Sequence, residues 1–472
     1  MYSVAVANAR LTLLSCRMPS ARPERPKQET GLRPQLSAPQ MAMVAVGGSI
    51  STGLLLGSGA AIHIAGPAVL FSFLAAAFLS YTVAMAVGEL ACAHPAAGSF
   101  GVYGDLYLNE WSGFIGRAGY WAGLAVSIGA EMIASATYMA YWFAGVPAWV
   151  WVVVFSVALM LVNLSTVGSY GRFEFWFAMI KVAAIAAFIL IGASLLLTRR
   201  VAPQYTAHGG FFPQGMFAPL FAITYAVYSF GGVEMVAVTS GESRSLKDIP
   251  RAVRLTFLAL TVAYLGATAV LLGILPWNST GTTESPFVTV FRLVGIPGAS
   301  HVTNFVVLTA ALSGANATLY VCSRMLFSMG RTGWAPPVFG RLNASGSPRA
   351  AVIASGFGIV IAFALSFGSR ANAFGYLLGG AFTGLISSWL VSLAAHVNFR
   401  RRKTDEEIAA LPLRSPLGLW GSVIGFALAS IATLQTWLAP RANFYSGMVY
   451  VGVLTIAYFM IKKLRASTRA IP

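Results

Sequence analysis

Residues 47–53 read Gly47-Gly48-Ser49-Ile50-Ser51-Thr52-Gly53 and fall near the middle of an apolar run from 39 to 64. A second cluster, Ser229-Phe230-Gly231-Gly232-Val233-Glu234, falls inside the apolar run 214–239. Glycine frees the backbone, and Ser and Thr hydroxyls can satisfy loosened amides and carbonyls. A helix broken at mid-membrane presents bare N–H groups at one half-helix end, which suit anions, and bare C=O groups at the other, which suit cations. The clusters are five spans apart. Breaks at matching places in two halves point to an inverted-repeat transporter with its substrate site between them. The alternative is that these glycines only permit close helix packing, as small-xxx-small patterns do.

The rest of the chain supports a membrane setting. Of 472 residues, 57% are hydrophobic and 10% charged, against about 25% charged in a soluble domain, and mean hydropathy is +0.73. A soluble chain this apolar would lack the polar surface to stay in solution. Runs long enough for a core of about 30 Å lie near 39–64, 66–91, 112–143, 146–164, 172–198, 214–239, 252–275, 302–329, 351–368, 373–397, 416–438 and 444–462. The expectation is an all-α integral membrane protein with twelve transmembrane helices. The run at 112–143 exceeds one span, so its helix is expected to tilt or to extend past the bilayer.

A formal net charge of +17 would suggest nucleic acid in a soluble protein. Here the basic residues sit in short connections between apolar runs, and no nucleic-acid partner is expected. With twelve spans, twenty-five Lys and Arg fall on the side of the termini and five on the other: Arg199, Arg200, Arg292, Arg370 and Arg441. That asymmetry places both termini in the cytoplasm of a plasma (inner) membrane protein. Residues 1–36 read as a disordered basic tail. Leu13-Leu14-Ser15-Cys16 only loosely resembles a lipoprotein cleavage box, because Asn8 and Arg10 interrupt the apolar stretch before it. Met18 and Met41 are alternative starts.

Three ionisable residues stand inside spans: Glu131, Lys181 and Glu234. Each costs about 2.5–3.5 kcal/mol at the centre of a lone helix on insertion scales, so each should face the protein interior with a partner. A structural ion pair or helix-to-helix hydrogen bond would meet that need. A desolvated lysine can also exchange its proton and so carry one. Tyr228, read as one turn before the second break, is placed where a ring could cover the site; plain packing is the alternative. Cys16, Cys92 and Cys322 are far apart, and no His pair has ligand spacing, so neither disulfide nor metal nor cofactor is expected. No nucleophile–base pair suggests an enzyme.

Five ordered stretches between about 40 and 463 resemble the amino acid permeases of the amino acid–polyamine–organocation superfamily. They are GGSISTGLLLGSG with AGPA (47–59, 65–68), Gly88-Glu89-Leu90 with His94-Pro95 and Gly98-Ser99-Phe100, FEFWFAMIKV (173–182), FGGVEMVAVTSGESRSLKDIPRAV (230–253) and NFVVLTAALSGANATLYVCSRML (304–326). The resemblance implies a 5+5 inverted-repeat (LeuT-like) core plus two extra helices. It implies a substrate carboxylate on the backbone N–H groups of Ser49, Ile50, Ser51, Thr52 and Gly53. The amino group would meet carbonyls around Ser229, Phe230, Gly231 and Gly232. Tyr228 falls at a gating aromatic, and Glu131 on the pocket side of the third span. Lys181 falls where a protonatable amine can replace sodium, near Gly47 and Ser313. Two departures stand out: Ser51 replaces the usual glycine, which would narrow the carboxylate site, and Gly314 replaces a common serine, which removes a hydroxyl partner for Lys181.

The expected organisation is a tail (1–36), a first five-helix repeat (37–199), a second (213–399), two accessory helices (415–462) and a C-terminal tail (463–472). The expected function is import of an amino acid, or a related amine such as a gamma-amino acid, by proton symport and alternating access. Helices 1, 2, 6 and 7 would rock against a scaffold, with Lys181, Glu234, Ser313 and Tyr228 in coupling and gating. The expected partners are substrate, protons and the lipid bilayer, in a monomer or homodimer. An amino acid exchanger of the same fold and a non-transporting membrane sensor are the alternatives; the second would need an output domain, and no stretch is long enough for one.

Overall fold

The computed structural model describes residues 36–96, 98–165, 167–343, 346–438 and 441–469. The tail expected over 1–36, with its alternative starts and cleavage box, lies outside them except for Leu36. Among the described residues all regular structure is helical apart from one parallel bridge between Leu36 and Ser243. Leu36 N–H donates to the Glu242 carbonyl at 2.9 Å and the Arg244 N–H donates to Leu36 O at 3.0 Å.

The first apolar run is three helices: α1 (Ala38–Ser49), α2 (Thr52–Leu55) and α3 (Gly57–Ala65). Ile50 (φ −75°, ψ 85°) and Ser51 (φ −146°, ψ −151°) leave the helical basin between α1 and α2. A turn at Gly66-Pro67-Ala68 leads into α4 (Val69–Ala93), then α5 (Ser99–Tyr107), α6 (Glu110–Phe114) and α7 (Tyr120–Met139). Next come α8 (Ala148–Ser165), α9 (Val167–Leu197) and a second interrupted line, α10 (Ala218–Ser229) and α11 (Met235–Thr239). The chain continues with α12 (Asp248–Ile274), α13 (Pro286–Val294), α14 (Ala299–Thr332), α15 (Arg349–Ser355), α16 (Phe357–Leu365), α17 (Arg370–Arg402), α18 (Asp405–Ala409), α19 (Gly418–Leu434) and α20 (Arg441–Arg469).

Eight helical stretches among the described residues are long and apolar enough to cross a membrane: 57–93, 110–139, 176–197, 248–274, 299–332, 370–402, 418–437 and 444–465. Three shorter apolar ones lie at 148–164, 218–229 and 349–365. Helices suit such runs because each backbone amide is satisfied within its own segment. Large apolar side chains such as Leu190, Leu258, Phe305, Leu434 and Phe459 are exposed on the outside, as lipid allows and water would penalise.

Several boundaries differ from the sequence expectation. The third helical line ends at Met139 rather than 143, because residues 140–147 form turns before α8, and a π-helical turn at Ile115–Gly119 joins α6 to α7. The run at 351–368 is divided at Gly356. Inside the bundle α7 packs along α14, α16 and α17, and α1 packs against α9, α12 and α14. The α7–α17 crossing is close enough that a Cβ on Gly123 would come 2.7 Å from Gly384 Cα. Glycines at both positions bring the backbones together, which sets the α7 face carrying Ser127 and Glu131 beside the breaks.

Candidate substrate site between two interrupted helices

The two interruptions abut. A Cβ on Gly53 would lie 3.0 Å from Ser229 Cα and 3.2 Å from the Tyr228 ring. Gly232 has φ +116°, and a Cβ there would meet Ser49 Oγ. The close approach of α2 to the end of α10, and of the second break to α1, thus depends on two glycines, one of them in a conformation that L side chains rarely adopt.

Each interruption leaves backbone groups to be satisfied. The first ladder bonds of α2 run from Leu55 N–H to Ser51 O and from Leu56 N–H to Thr52 O, both at 3.0 Å. The amides of Thr52, Gly53 and Leu54 therefore have no i−4 carbonyl, as at any helix start. Ser49 turns its hydroxyl back to Ala45 O at 2.7 Å, and Ser51 Oγ is 3.5 Å from Ser49 O. At the second break, tight turns form as Phe230 N–H donates to Val227 O at 3.1 Å and Gly231 N–H to Tyr228 O at 3.0 Å.

Glu234 is fully buried and folds back over its own break. Gly232 N–H donates to both carboxylate oxygens at 3.0 Å, the Tyr120 hydroxyl to Oε1 at 2.6 Å and the Trp389 indole N–H to Oε2 at 3.1 Å. The carboxyl group thus sits on the amide that the interruption exposes, held by α7 and α17. Glu131, also buried, accepts from Thr52 Oγ1 at 2.9 Å through Oε1. Its Oε2 is buried with no hydrogen-bond partner among the described residues. Lys181 is buried on α9, and its Nζ donates to Gly47 O at 2.6 Å, at the last turn of α1. Ser313 is buried on α14. Tyr228 is the last residue but one of α10, nearer the break than a full turn, and its hydroxyl lies 2.8 Å from Ser127 Oγ.

Ser51, Leu124, Ser127, Tyr228, Gly232 and Leu385 wall a cavity of about 30 Å³ between the breaks. That is room for a water or two, so the two lines are closed on each other here. Tyr120, Ser127 and Trp389 were not singled out from the sequence. Ser127 precedes Glu131 by one turn and so shares its helix face, which was a usable signal. Tyr120 and Trp389 are 114 and 155 residues from Glu234, and no spacing pattern connects them.

Further buried polar clusters lie toward the helix ends. Glu242 pairs with Arg324 at 3.1 Å and accepts from the Tyr320 hydroxyl at 2.8 Å. Glu89 lies 2.7 Å from His396 Nε2 and 2.8 Å from Arg400, while His396 Nδ1 is 2.7 Å from Ser422 Oγ. Among the described residues no three His, Cys, Asp or Glu side chains gather as metal ligands.

Helices of membrane-crossing length, with buried polar side chains between interrupted ones, define a multi-pass membrane protein. The chain belongs to the amino acid permease family, which it matches over residues 40–470. It is 32% identical over 443 residues to the uncharacterized amino acid permease YtnA of Bacillus subtilis (strain 168), covering 92% of this chain and 96% of the relative. It is 32% identical to the gamma-aminobutyric acid permease of the same organism, over 94% of this chain and 97% of the relative. It is also 32% identical to the aromatic amino acid transport protein AroP of Escherichia coli (strain K12), over 91% of this chain and 95% of the relative. The family and these relatives are transporters, not enzymes.

Proposed function

We propose that this permease imports an amino acid across the plasma membrane by proton symport and alternating access. The abutment of the two breaks, with Gly53 against Ser229 and Gly232 against Ser49, carries the reading, because it brings the start of α2 and the end of α10 to one place. Of the stretch Ser49–Gly53, Ile50 N–H already donates to Val46 O at 2.8 Å, so the substrate carboxylate takes the N–H groups from Ser51 to Gly53, and its amino group takes the carbonyls around Ser229–Gly232. Tyr228 covers the site. Glu131, with one carboxylate oxygen free, shapes recognition of the side chain or amine.

The twelve-span organisation supports this mechanism. The eight long helical stretches, the three shorter apolar ones and α1 are compatible with that number of spans. Residues 37–199 and 213–399 form two inverted five-helix repeats, 415–462 the accessory pair, and both termini face the cytoplasm with most of the basic residues. Helices 1, 2, 6 and 7 rock against the remainder. Lys181, on the Gly47 carbonyl, supplies a cation at the first break that a proton can charge and discharge; Glu234 ties the second break to the scaffold, and Ser313 flanks the Lys181 region.

The relatives are named for different substrates, gamma-aminobutyric acid and aromatic amino acids, at the same 32% identity, so likeness alone does not select one. Counterflow of a labelled amino acid panel into proteoliposomes holding the purified protein tests the substrate class. Exchange of at least one compound is expected; none across the panel overturns the assignment.

A further inference from the structure

Gly314 and Ser51 share one space. Gly314 lies in the middle of α14, facing the first break, and a Cβ there would come 2.7 Å from Ser51 Cβ. Real Cβ atoms do not approach that closely, and Ser51 Cβ is fixed to the backbone of the break, so it cannot swing aside as the end of a long side chain would. One Cβ fits between α14 and the break, and in this chain position 51 carries it. Ser51 lines the cavity between the breaks and is the N-cap residue of α2, next to the amides of Thr52 and Gly53 that begin it. Leu124 and Leu385 line the same cavity of about 30 Å³, so bulk at position 51 subtracts directly from the space next to those amides.

We infer that Ser51 and Gly314 form one steric unit that sets the size of the group admitted beside the substrate carboxylate. The inference rests on the reading that the first break takes the carboxylate, and it names the substrate class. Apart from the amino group or the arm that bears it, the carbon next to the carboxylate carries only hydrogen or a methyl group, as in glycine, alanine and gamma-aminobutyrate, and not a branched or aromatic substituent as in leucine and phenylalanine. Gly314 permits this arrangement, because a side chain there would expel Ser51 or shift the break.

The test compares initial uptake of glycine, alanine, gamma-aminobutyrate, leucine and phenylalanine by wild type, Ser51→Gly, Gly314→Ala and the double variant in proteoliposomes. Wild type should prefer the first three. Ser51→Gly should move the leucine-to-alanine ratio upward by about tenfold, the scale at which pocket volume discriminates apolar groups. Gly314→Ala should depress uptake of all substrates, and the double variant should restore it to the Ser51→Gly level. If Gly314→Ala fails to fold, recovery of monodisperse protein in the double variant reads the same contact. A wild type that prefers phenylalanine, a Ser51→Gly ranking unchanged from wild type, or a double variant as defective as Gly314→Ala overturns the inference while leaving amino acid transport standing. A wild type that moves none of the five, while counterflowing other amino acids, overturns the substrate class alone; no counterflow of any amino acid overturns the transport reading and the inference with it.

Discussion

The Tyr120 hydroxyl donates to Glu234 Oε1 at 2.6 Å, joining the start of α7 to the second break across 114 residues of sequence. With Trp389 on the other oxygen and Gly232 N–H on both, the buried carboxylate gathers donors from three separate segments. Hydrogen bonds to a charged group contribute about 1.5–3 kcal/mol each. Tyr120→Phe should therefore lower the unfolding midpoint of the detergent-solubilised protein, and Glu234→Gln should lower it further, because its amide turns a donor toward groups that are themselves donors. A midpoint unchanged in both variants would remove Glu234 from the structural account of the break.

Gly232→Ala tests the backbone of that break directly. Its φ of +116° disfavours any L side chain, and the new Cβ would also meet Ser49 Oγ. Strain of this kind costs on the order of 1–3 kcal/mol. Uptake should fall by at least about tenfold, and adding Ser49→Ala should not restore it, since removing the hydroxyl relieves the contact and leaves the dihedral. Full rescue by the double variant would show that the contact alone matters.

Lys181→Met keeps most of the apolar stem and removes the charge that sits on Gly47 O. The proposed coupling predicts loss of gradient-driven accumulation with counterflow retained. Accumulation driven by an inward proton gradient at the wild-type level in this variant would contradict the role given to Lys181.

Arg324→Met leaves Glu242 buried without its ionic partner, beside a Tyr320 ring over which the guanidinium now sits at 3.5 Å. Breaking one side of a buried pair costs about 3–5 kcal/mol, whereas replacing both partners costs much less. The unfolding midpoint should therefore drop sharply for Arg324→Met and recover in part for Glu242→Gln with Arg324→Met. Equal loss in single and double variants would mean that the pair does not act as a unit.

Local signals carried much of the architecture. Glycine with serine and threonine in mid-run marked both interruptions, because such composition loosens a helix wherever it occurs, and run length marked the long helices. Signals that depend on tertiary packing were not readable. Helices α5 and α13 are nine residues each, too short to stand out as spans. Trp142 and Phe143 extended the third run by hydropathy although they lie in turns. At the site, Glu131, Lys181 and Glu234 announced themselves as charges in apolar runs. Their partners Thr52, Gly47, Tyr120 and Trp389 come from distant segments that packing alone brings near. Ser51 and Gly314 were each visible as departures from a resembled pattern, one as a narrowing and the other as a lost hydroxyl. Only the 2.7 Å approach of their side-chain positions shows that the two departures occupy one space.

The central claim is that this permease couples amino acid import to protons through its two closed breaks. The most direct measurement is net uptake of a labelled amino acid, chosen from the compounds that counterflow, into empty proteoliposomes with and without an inward proton gradient. The account predicts accumulation above the gradient-free level that a protonophore abolishes. Uptake seen only in vesicles preloaded with amino acid, and indifferent to the gradient, would contradict it and identify an exchanger.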